Sequence, residues 1–307
     1  MSYALSGTDR PGARRPGLRW WIEILLLVVV YAAYSAGRLV VRGDIPGAVH
    51  HGLAILHIEQ HLRIDPERLL NHVFTRTAVL GVPADFVYAS LHYVVTPAVL
   101  LWLYRRRPAH YRRARTWLML STLLGLIGFT LVPTAPPRLL GTGYGFVDTM
   151  AHYSSYGWWG GQASAPRGLG GITNQYAAMP SLHVGWALWC GAVLWRHAKT
   201  PAVRWLGAAY PFVITLVVVG TANHYLLDAV AGVFVMAVGA LLTDPLRAAF
   251  GRLTTRPGGR GGTTVGGGCE TSPGERFPGQ RTRTGSTSAG AQRGARADTD
   301  GTAAPAR

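Results

Sequence analysis

Six stretches of this 307-residue chain are apolar for close to the thickness of a lipid hydrocarbon core: residues 19–41, 84–104, 116–134, 182–198, 205–222 and 225–243. A spanning helix needs about 20 such residues. Charged residues make up only 14% of the chain, where a soluble domain carries about a quarter, and the deficit lies in these runs. The expected fold class is therefore all-α, a polytopic membrane protein with six transmembrane helices. A disordered chain and a nucleic-acid-binding domain both fit the first 250 residues badly.

The segments between the runs set the expected orientation. The chain has 30 basic and 14 acidic residues, for a net charge of +16, and Lys199 is its only lysine. Segment 1–18 holds Arg10, Arg14 and Arg15, loop 105–115 (RRRPAHYRRAR) holds six arginines, and loop 196–204 holds Arg196, Lys199 and Arg204. From Gly251 onward nine arginines face four acids, whereas loop 135–180 has only Arg138 and Arg167 against Asp148. The positive-inside rule then puts both termini in the cytoplasm of a cell-membrane protein. Segments 42–82 and 135–180 and the turn at 223–224 face outward. A basic start followed by an apolar run also fits a signal peptide cut near Ser35 or Ala36, but the length of the run favours an anchor. RRRPAHYRRAR is read as a solvated cytoplasmic loop in preference to a nucleic-acid site.

Within 42–82, Val49, Leu53 and Leu56 recur at helical spacing beside histidines, which predicts an outer, interfacial amphipathic helix over 46–61. IDPE at 64–67 then breaks the chain, and Pro66 opens a short second helix. The Gly/Ser/Thr/Arg/Pro-rich residues after 250 cannot bury a core and predict a disordered tail. The expected organisation is a cytoplasmic segment over 1–18, a membrane domain over 19–250 and a basic tail over 251–307. Cys190 and Cys269 give neither a disulfide framework nor a thiolate metal site. No internal repeat is evident.

Three polar clusters interrupt the apolar pattern, and the topology puts them on one side. They are Thr134-Ala-Pro-Pro-Arg138, Ala178-Met-Pro-Ser-Leu-His183 and Asn223-His224-Tyr-Leu-Leu-Asp228. His183 and His224 are 41 residues apart, one crossing inward and one back. These residue types suit phosphoryl transfer. On a helix, His224 and Asp228 at i, i+4 share a face, so the carboxylate can fix one imidazole nitrogen and free the other to attack. His183 can protonate the leaving oxygen. Ser181 sits where a helix cap belongs, and amides at that helix start can bind phosphate. Arg138 offers a fixed charge with bidentate geometry. Each signal has a bland alternative, such as an interfacial histidine, a capping Pro-Ser or a Pro-Pro-Arg loop. Their convergence at one membrane face favours function, because ionisable groups at membrane depth are costly.

Pro180-Ser-Leu-His183 and His224-x-x-x-Asp228 resemble the second and third signature motifs of the type 2 phosphatidic acid phosphatase superfamily. The resemblance implies a six-helix membrane enzyme with a metal-independent phosphohistidine mechanism. In it His224 is the nucleophile, Asp228 its partner and His183 the general acid. The chain departs from the family pattern at Leu182, where glycine is usual, and at Val217 and Val218, where the third motif has Ser-Arg. Pro136-Pro-Arg138 stands in place of the first motif. These departures resemble the branch containing inositol phosphorylceramide synthase, the inositol phosphotransferase-like members.

The expected function is thus a lipid phosphatase or phosphotransferase, or in particular an inositol-phosphate transferase to a lipid or glycan acceptor. Its substrate is a phospho- or diphospho-lipid from the bilayer. No cofactor, metal or nucleic acid is expected, and the oligomeric state is open. Asn174, Gln175 and Tyr176 can line a headgroup pocket or merely pack the loop. Glu59 and His92 can reach the site from the outer helix and second span, although a structural role is favoured for both. Trp158 and Trp159 read as membrane-interface residues, and Arg115 as cytoplasmic. Thr142-Gly-Tyr-Gly145 faintly echoes a potassium filter, but no pore helix precedes it. Three rivals stand beside this reading: a transporter or scaffold with vestigial motifs, a hydrolase using Ser181 with a histidine, and a metal site of His183, His224 and Asp228.

Overall fold

The computed structural model describes residues 20–40, 44–159 and 175–254. The segment 1–18, Asn174 and nearly all of the expected tail lie outside the described residues. The chain divides into units Met1–Arg256 and Pro257–Arg307, and every described residue belongs to the first.

The described residues are helical: α1 (Trp20–Val40), α2 (Ile45–Leu62), α3 (Glu67–Arg76), α4 (Ala78–Phe86), a π turn (Val87–Leu91), α5 (His92–Arg106), α6 (Pro108–Leu131), the one-turn α7 (Thr149–His152), α8 (Leu182–His197), α9 (Pro201–Gly220) and α10 (Leu226–Thr254). Among them there is no strand, only a parallel bridge between Thr134 and Ala177. Four continuous helices are long and apolar enough to cross a membrane: Ala78–Arg106, Pro108–Leu131, Pro201–Gly220 and Leu226–Arg252. Six were expected. α8 has only 16 residues, below the ~20 that a straight crossing needs, and in α1 the apolar stretch among the described side chains is Trp20–Val29. Val79, Leu131, Phe212 and Leu241 on the four long helices are 82, 72, 77 and 76% exposed. Large apolar side chains so exposed suit lipid rather than water, and the chain is an α-helical membrane protein.

Several expected boundaries move. The arginine-rich stretch 105–115 is hardly a loop, since α5 runs to Arg106 and α6 begins at Pro108. Proline at a first helical position has the required φ and needs no N–H partner, so only Arg107 turns the chain. α2 forms where amphipathicity predicts it, capped by Asp44, whose Oδ1 accepts the Gly47 N–H at 2.9 Å. It is more than an interfacial helix, because Leu56 and Glu59 are fully buried. Trp159 is also no interface residue: it is 0% exposed, and its indole N–H donates to Met150 O at 2.9 Å.

α8 packs mainly against α9 and α10 mainly against α6. Val99, Leu103, Leu118, Trp189, Val193 and Met236 form the largest buried cluster. Its indoles are satisfied locally, Trp117 Nε1 on Met236 O at 2.8 Å and Trp189 Nε1 on Ala114 O at 3.0 Å. A buried indole without an acceptor would be costly, so these bonds fix how α6 meets α8 and α10.

Candidate active site

The three polar clusters converge, and backbone hydrogen bonds join them. The Thr134 N–H donates to Tyr176 O at 2.8 Å, and the Ala178 N–H returns to Thr134 O at 3.2 Å. The Arg138 N–H donates to Ala222 O at 3.0 Å, tying the first cluster to the third. Ala135 N–H donates to Ala48 O at 2.9 Å, so α2 belongs to the same assembly.

His224 differs from expectation. It sits in the turn before α10, outside the helix, where both Asn223 and His224 N–H groups donate to Val218 O at 3.0 Å. Ala222 holds the turn in a left-handed conformation at φ 53°. Asp228 lies in the first turn of α10, and its Oδ2 reaches back to accept the Tyr225 N–H at 3.0 Å while standing 3.3 Å from His224 Nδ1. The pair therefore meets because Asp228 caps its own helix, which satisfies an otherwise orphaned amide, and not because two helical residues share a face. His224 is 4% exposed and Asp228 is 0% exposed.

His183 opens α8, with its ring centroid 5.6 Å from that of His224. Tyr88 stacks on it at 4.6 Å, and His92 meets it edge-on at 4.5 Å. Both partners come from the π turn and the helix turn after it. An extra residue in such a turn redirects side chains, and π turns are frequent at functional sites. Ser181 caps α8 as expected, its Oγ accepting the Val184 N–H at 3.5 Å and its N–H donating to Asp228 O at 2.9 Å. This segment lies in a cradle of glycines. A Cβ on Gly232 would stand 2.2 Å from Ser181 O, and one on Gly125 would stand 2.6 Å from a Leu182 methyl. Leu182, where the resembled motif has glycine, is thus accommodated by a glycine on the facing helix.

Arg138 is 4% exposed at its side chain. Nε donates to Asn223 Oδ1 at 2.8 Å and Nη1 to Asp148 Oδ2 at 3.0 Å. It stands beside the His224 turn with two donors already committed. Gln175 and Tyr176 are half-buried in the segment leading to Ser181, where Tyr176 contributes the carbonyl that pairs with Thr134. Arg115 lies away from the site and pairs with Glu23 of α1.

Glu59 and His92 both reach the site. Glu59 Oε1 accepts the Leu227 N–H at 2.6 Å, and Glu67 Oε1 accepts the Leu226 N–H at 2.8 Å. Both glutamates are 0% exposed. Burial pushes the Glu59 carboxyl up to about 9; the Leu227 N–H opposes this, and the nearby Glu67 and Asp228 charges reinforce it. Burial likewise raises Glu67. Tyr88, Asn223, Asp148 and Glu67 were given no role from sequence. The signals on offer were slight: the i, i+4 spacing of Tyr88 and His92, the adjacency of Asn223 to His224, and the glutamate that follows Pro66.

Among the described residues, no group of three His, Cys, Asp or Glu side chains is arranged to hold a metal ion. A cavity of 680 Å³ between α1, α5 and α6 is lined by Ile24, Leu27, Leu100, Leu118 and Trp186 and reaches His92. Such a volume lies within the range that holds small-molecule ligands, and its lining suits an apolar chain. No curated protein and no solved structure matches the chain. A family model described as the PAP2 superfamily matches residues 53–242, a span that holds all three polar clusters and the His183, His224 and Asp228 side chains. With well over half of its length inside that match, the chain belongs to the PAP2 superfamily.

Proposed function

We propose that the protein is an integral membrane phosphatase or phosphotransferase that acts on phospho- or diphospho-lipids through a phosphohistidine on His224. Members of the superfamily are phosphatases and phosphotransferases on lipid-like substrates, which supports enzyme status and the substrate class. The observation that carries the reading is the 3.3 Å contact of His224 Nδ1 with the buried Asp228 carboxylate, with the His183 ring alongside.

A proton on Nδ1 directed at Asp228 leaves the Nε2 lone pair free. Nε2 attacks phosphorus, a P–N bond forms, and the bond to the leaving oxygen breaks as His183 protonates that oxygen. His183 then takes a proton from an acceptor hydroxyl, whose oxygen attacks phosphorus and releases Nε2. Water as acceptor makes a phosphatase, whereas a lipid or glycan hydroxyl makes a transferase. The choice depends on how well the pocket excludes water. An inositol-phosphate donor is the form suggested by Leu182 and by Pro136-Pro-Arg138. Arg138 supplies positive charge beside the nucleophile, and Asp148 must yield its donor before phosphate can take the guanidinium bidentately. Ser181 contributes the helix start at which phosphate oxygens meet free amides.

In this reading α1 and α8 also cross the bilayer, giving six spans. Both termini are cytoplasmic, because the arginine-rich turns lie opposite the site. Phosphate release from a panel of lipid phosphates and diphosphates, with chelator present, tests the reading. Release by wild type and none by His224→Ala supports a metal-independent phosphohistidine enzyme. Silence with water but transfer from an inositol-containing donor to a lipid hydroxyl supports the transferase form. Equal behaviour of wild type and variant with every donor sinks the reading in favour of a transporter or scaffold.

A further inference from the structure

Glu59 and Glu67 come from α2 and α3, neither of which is among the spanning helices, yet both end on the first turn of α10. Three consecutive amides there, Tyr225, Leu226 and Leu227, each donate to a carboxylate oxygen: Asp228 Oδ2, Glu67 Oε1 and Glu59 Oε1. A helix start needs acceptors, and one serine or asparagine usually serves. Two fully buried glutamates are a costly substitute, because an ionised carboxylate loses its hydration on burial. The opposite oxygens, Glu59 Oε2, Glu67 Oε2 and Asp228 Oδ1, are buried and accept no hydrogen bond among the described residues. Among those residues no cation is paired with either glutamate.

We infer that Glu59 and Glu67 are positioning residues for the His224–Asp228 dyad, a carboxyl pair that shares one proton, grips the start of α10 and keeps a single negative charge behind the nucleophile. The inference rests on the phosphohistidine reading of the site. Two neighbouring buried carboxylates cannot both ionise cheaply, and two carboxyls can hydrogen-bond each other only if one keeps its proton. Two of the groups that face the pair are themselves acidic, Asp228 from the first turn of α10 and Asp65 from the segment before α3, and the third, Tyr225, spends its hydroxyl on Ala135 O. The two carboxylates disfavour a second charge. One charge is nevertheless useful, since the His224 ring becomes cationic as its P–N bond forms, and a fixed charge nearby stabilises it.

The test uses the full-length protein in detergent as wild type, Glu59→Gln, Glu67→Gln and the double variant. Glutamine keeps an acceptor oxygen for the Leu226 or Leu227 amide but carries no charge. Glu59→Gln leaves Glu67 as the one ionised carboxylate, so kcat should stay within about threefold of wild type, whereas Glu67→Gln, which leaves only the protonated Glu59, and the double variant both lose the charge and about tenfold or more in kcat at little-changed KM. A structural role alone would not give that pattern. A Glu59→Gln variant that loses as much as the double, or a folded double variant as fast as wild type, would overturn the inference.

Infrared spectroscopy reads the shared proton without turnover. A protonated-carboxyl band should be present at neutral pH, titrate away near pH 9, and be missing from Glu59→Gln. A wild-type spectrum indistinguishable from that of Glu59→Gln would also overturn the inference, even if the double variant did not fold. Absent turnover by wild type, or turnover that survives in His224→Ala, instead counts against the phosphohistidine reading and leaves the band to decide the pair.

Discussion

Arg113 and Asp244 form a two-pronged ion pair between α6 and α10 with side chains 54 and 57% exposed, whereas His224 and Asp228, at the start of α10, are 5 and 0% exposed. The two pairs are about 24 Å apart along one helix, at 1.5 Å per residue. Near the first pair Arg107 and Arg204 are half-buried: Arg107 donates to His197 O at 3.1 Å, and Arg204 lies 4.8 Å over the Trp195 ring. Arg113 and Asp244 can each find water if the partner is lost. Around the second pair, Arg138, Asp148, Glu59 and Glu67 are held by specific donors and acceptors in a buried setting. There a lost partner leaves a stranded group. Charged residues therefore stand in different settings at the two ends, solvated at one and buried and mutually dependent at the other.

The largest expected effects lie at the buried end. His224→Ala should lower phosphate release or transfer by on the order of 10³-fold or more, as removal of a nucleophile does. His183→Ala should cost about 10²- to 10⁴-fold, the range for a general acid. Initial rates on one lipid phosphate, with melting midpoints confirming folding, decide the matter. Residual activity near wild type in either variant would break the contrast, because the two histidines would then be as dispensable as the exposed Arg113.

Much of this arrangement was legible in the sequence. Four of the six apolar runs coincide with helices long enough to span, the three clusters were rightly expected to meet, and Ser181 was recognised as a cap. What the residues could not show was how α2 and α3 fold back. Glu67 carries no motif, and its role exists only because α3 sets it 2.8 Å from an amide 159 positions away. The π turn that aims Tyr88 at His183 lies inside a mostly apolar run, where hydropathy is blind to one extra residue. Placing His224 on a helix failed because capping by Asp228 starts α10 two residues later, at Leu226. The arginines of 105–115 looked like a loop because charge is a poor guide to backbone conformation, and Pro108 is as good a helix opener as a breaker.

A second expected effect follows pH. Glu59 holds its proton to about pH 9 when folded, whereas an ordinary glutamate in the unfolded chain loses it near 4.5. Between those values the folded state binds the extra proton, so stability falls as pH rises. The melting midpoint should decline steadily over that window in wild type and decline less in Glu59→Gln. A flat wild-type curve would mean that the buried end tolerates its charges as easily as the exposed end does, and would erase the distinction.

Asp148→Asn sharpens the comparison on a smaller scale. Asp148 spends both oxygens as acceptors, Oδ1 on the Ala151 N–H at 3.1 Å and Oδ2 on Arg138, whereas asparagine has one and can keep the α7 cap with it. The charge and the acceptor opposite the guanidinium both go. With Arg138 freed from an anionic competitor, KM for a lipid phosphate should fall by roughly three- to tenfold with kcat little changed. A rise in KM would assign Asp148 to holding Arg138 in place rather than competing with phosphate.

Arg113→Ala and Asp244→Ala carry the smallest expectation, and their value lies in that smallness. The pair has good geometry, with Arg113 Nε and Nη2 both on the Asp244 carboxylate at 2.8 to 3.1 Å. By appearance it is the best ion pair among the described residues. Its exposure argues the other way, since water and salt screen both groups and holding two long side chains costs entropy. Neither substitution should move the melting midpoint or the turnover rate beyond measurement error, and the double variant should match the singles. A clear loss of stability would show that this end of the bundle is less solvated than its accessibility suggests. The arginines there would then have to be counted as structure, alongside the buried carboxylates at the start of α10.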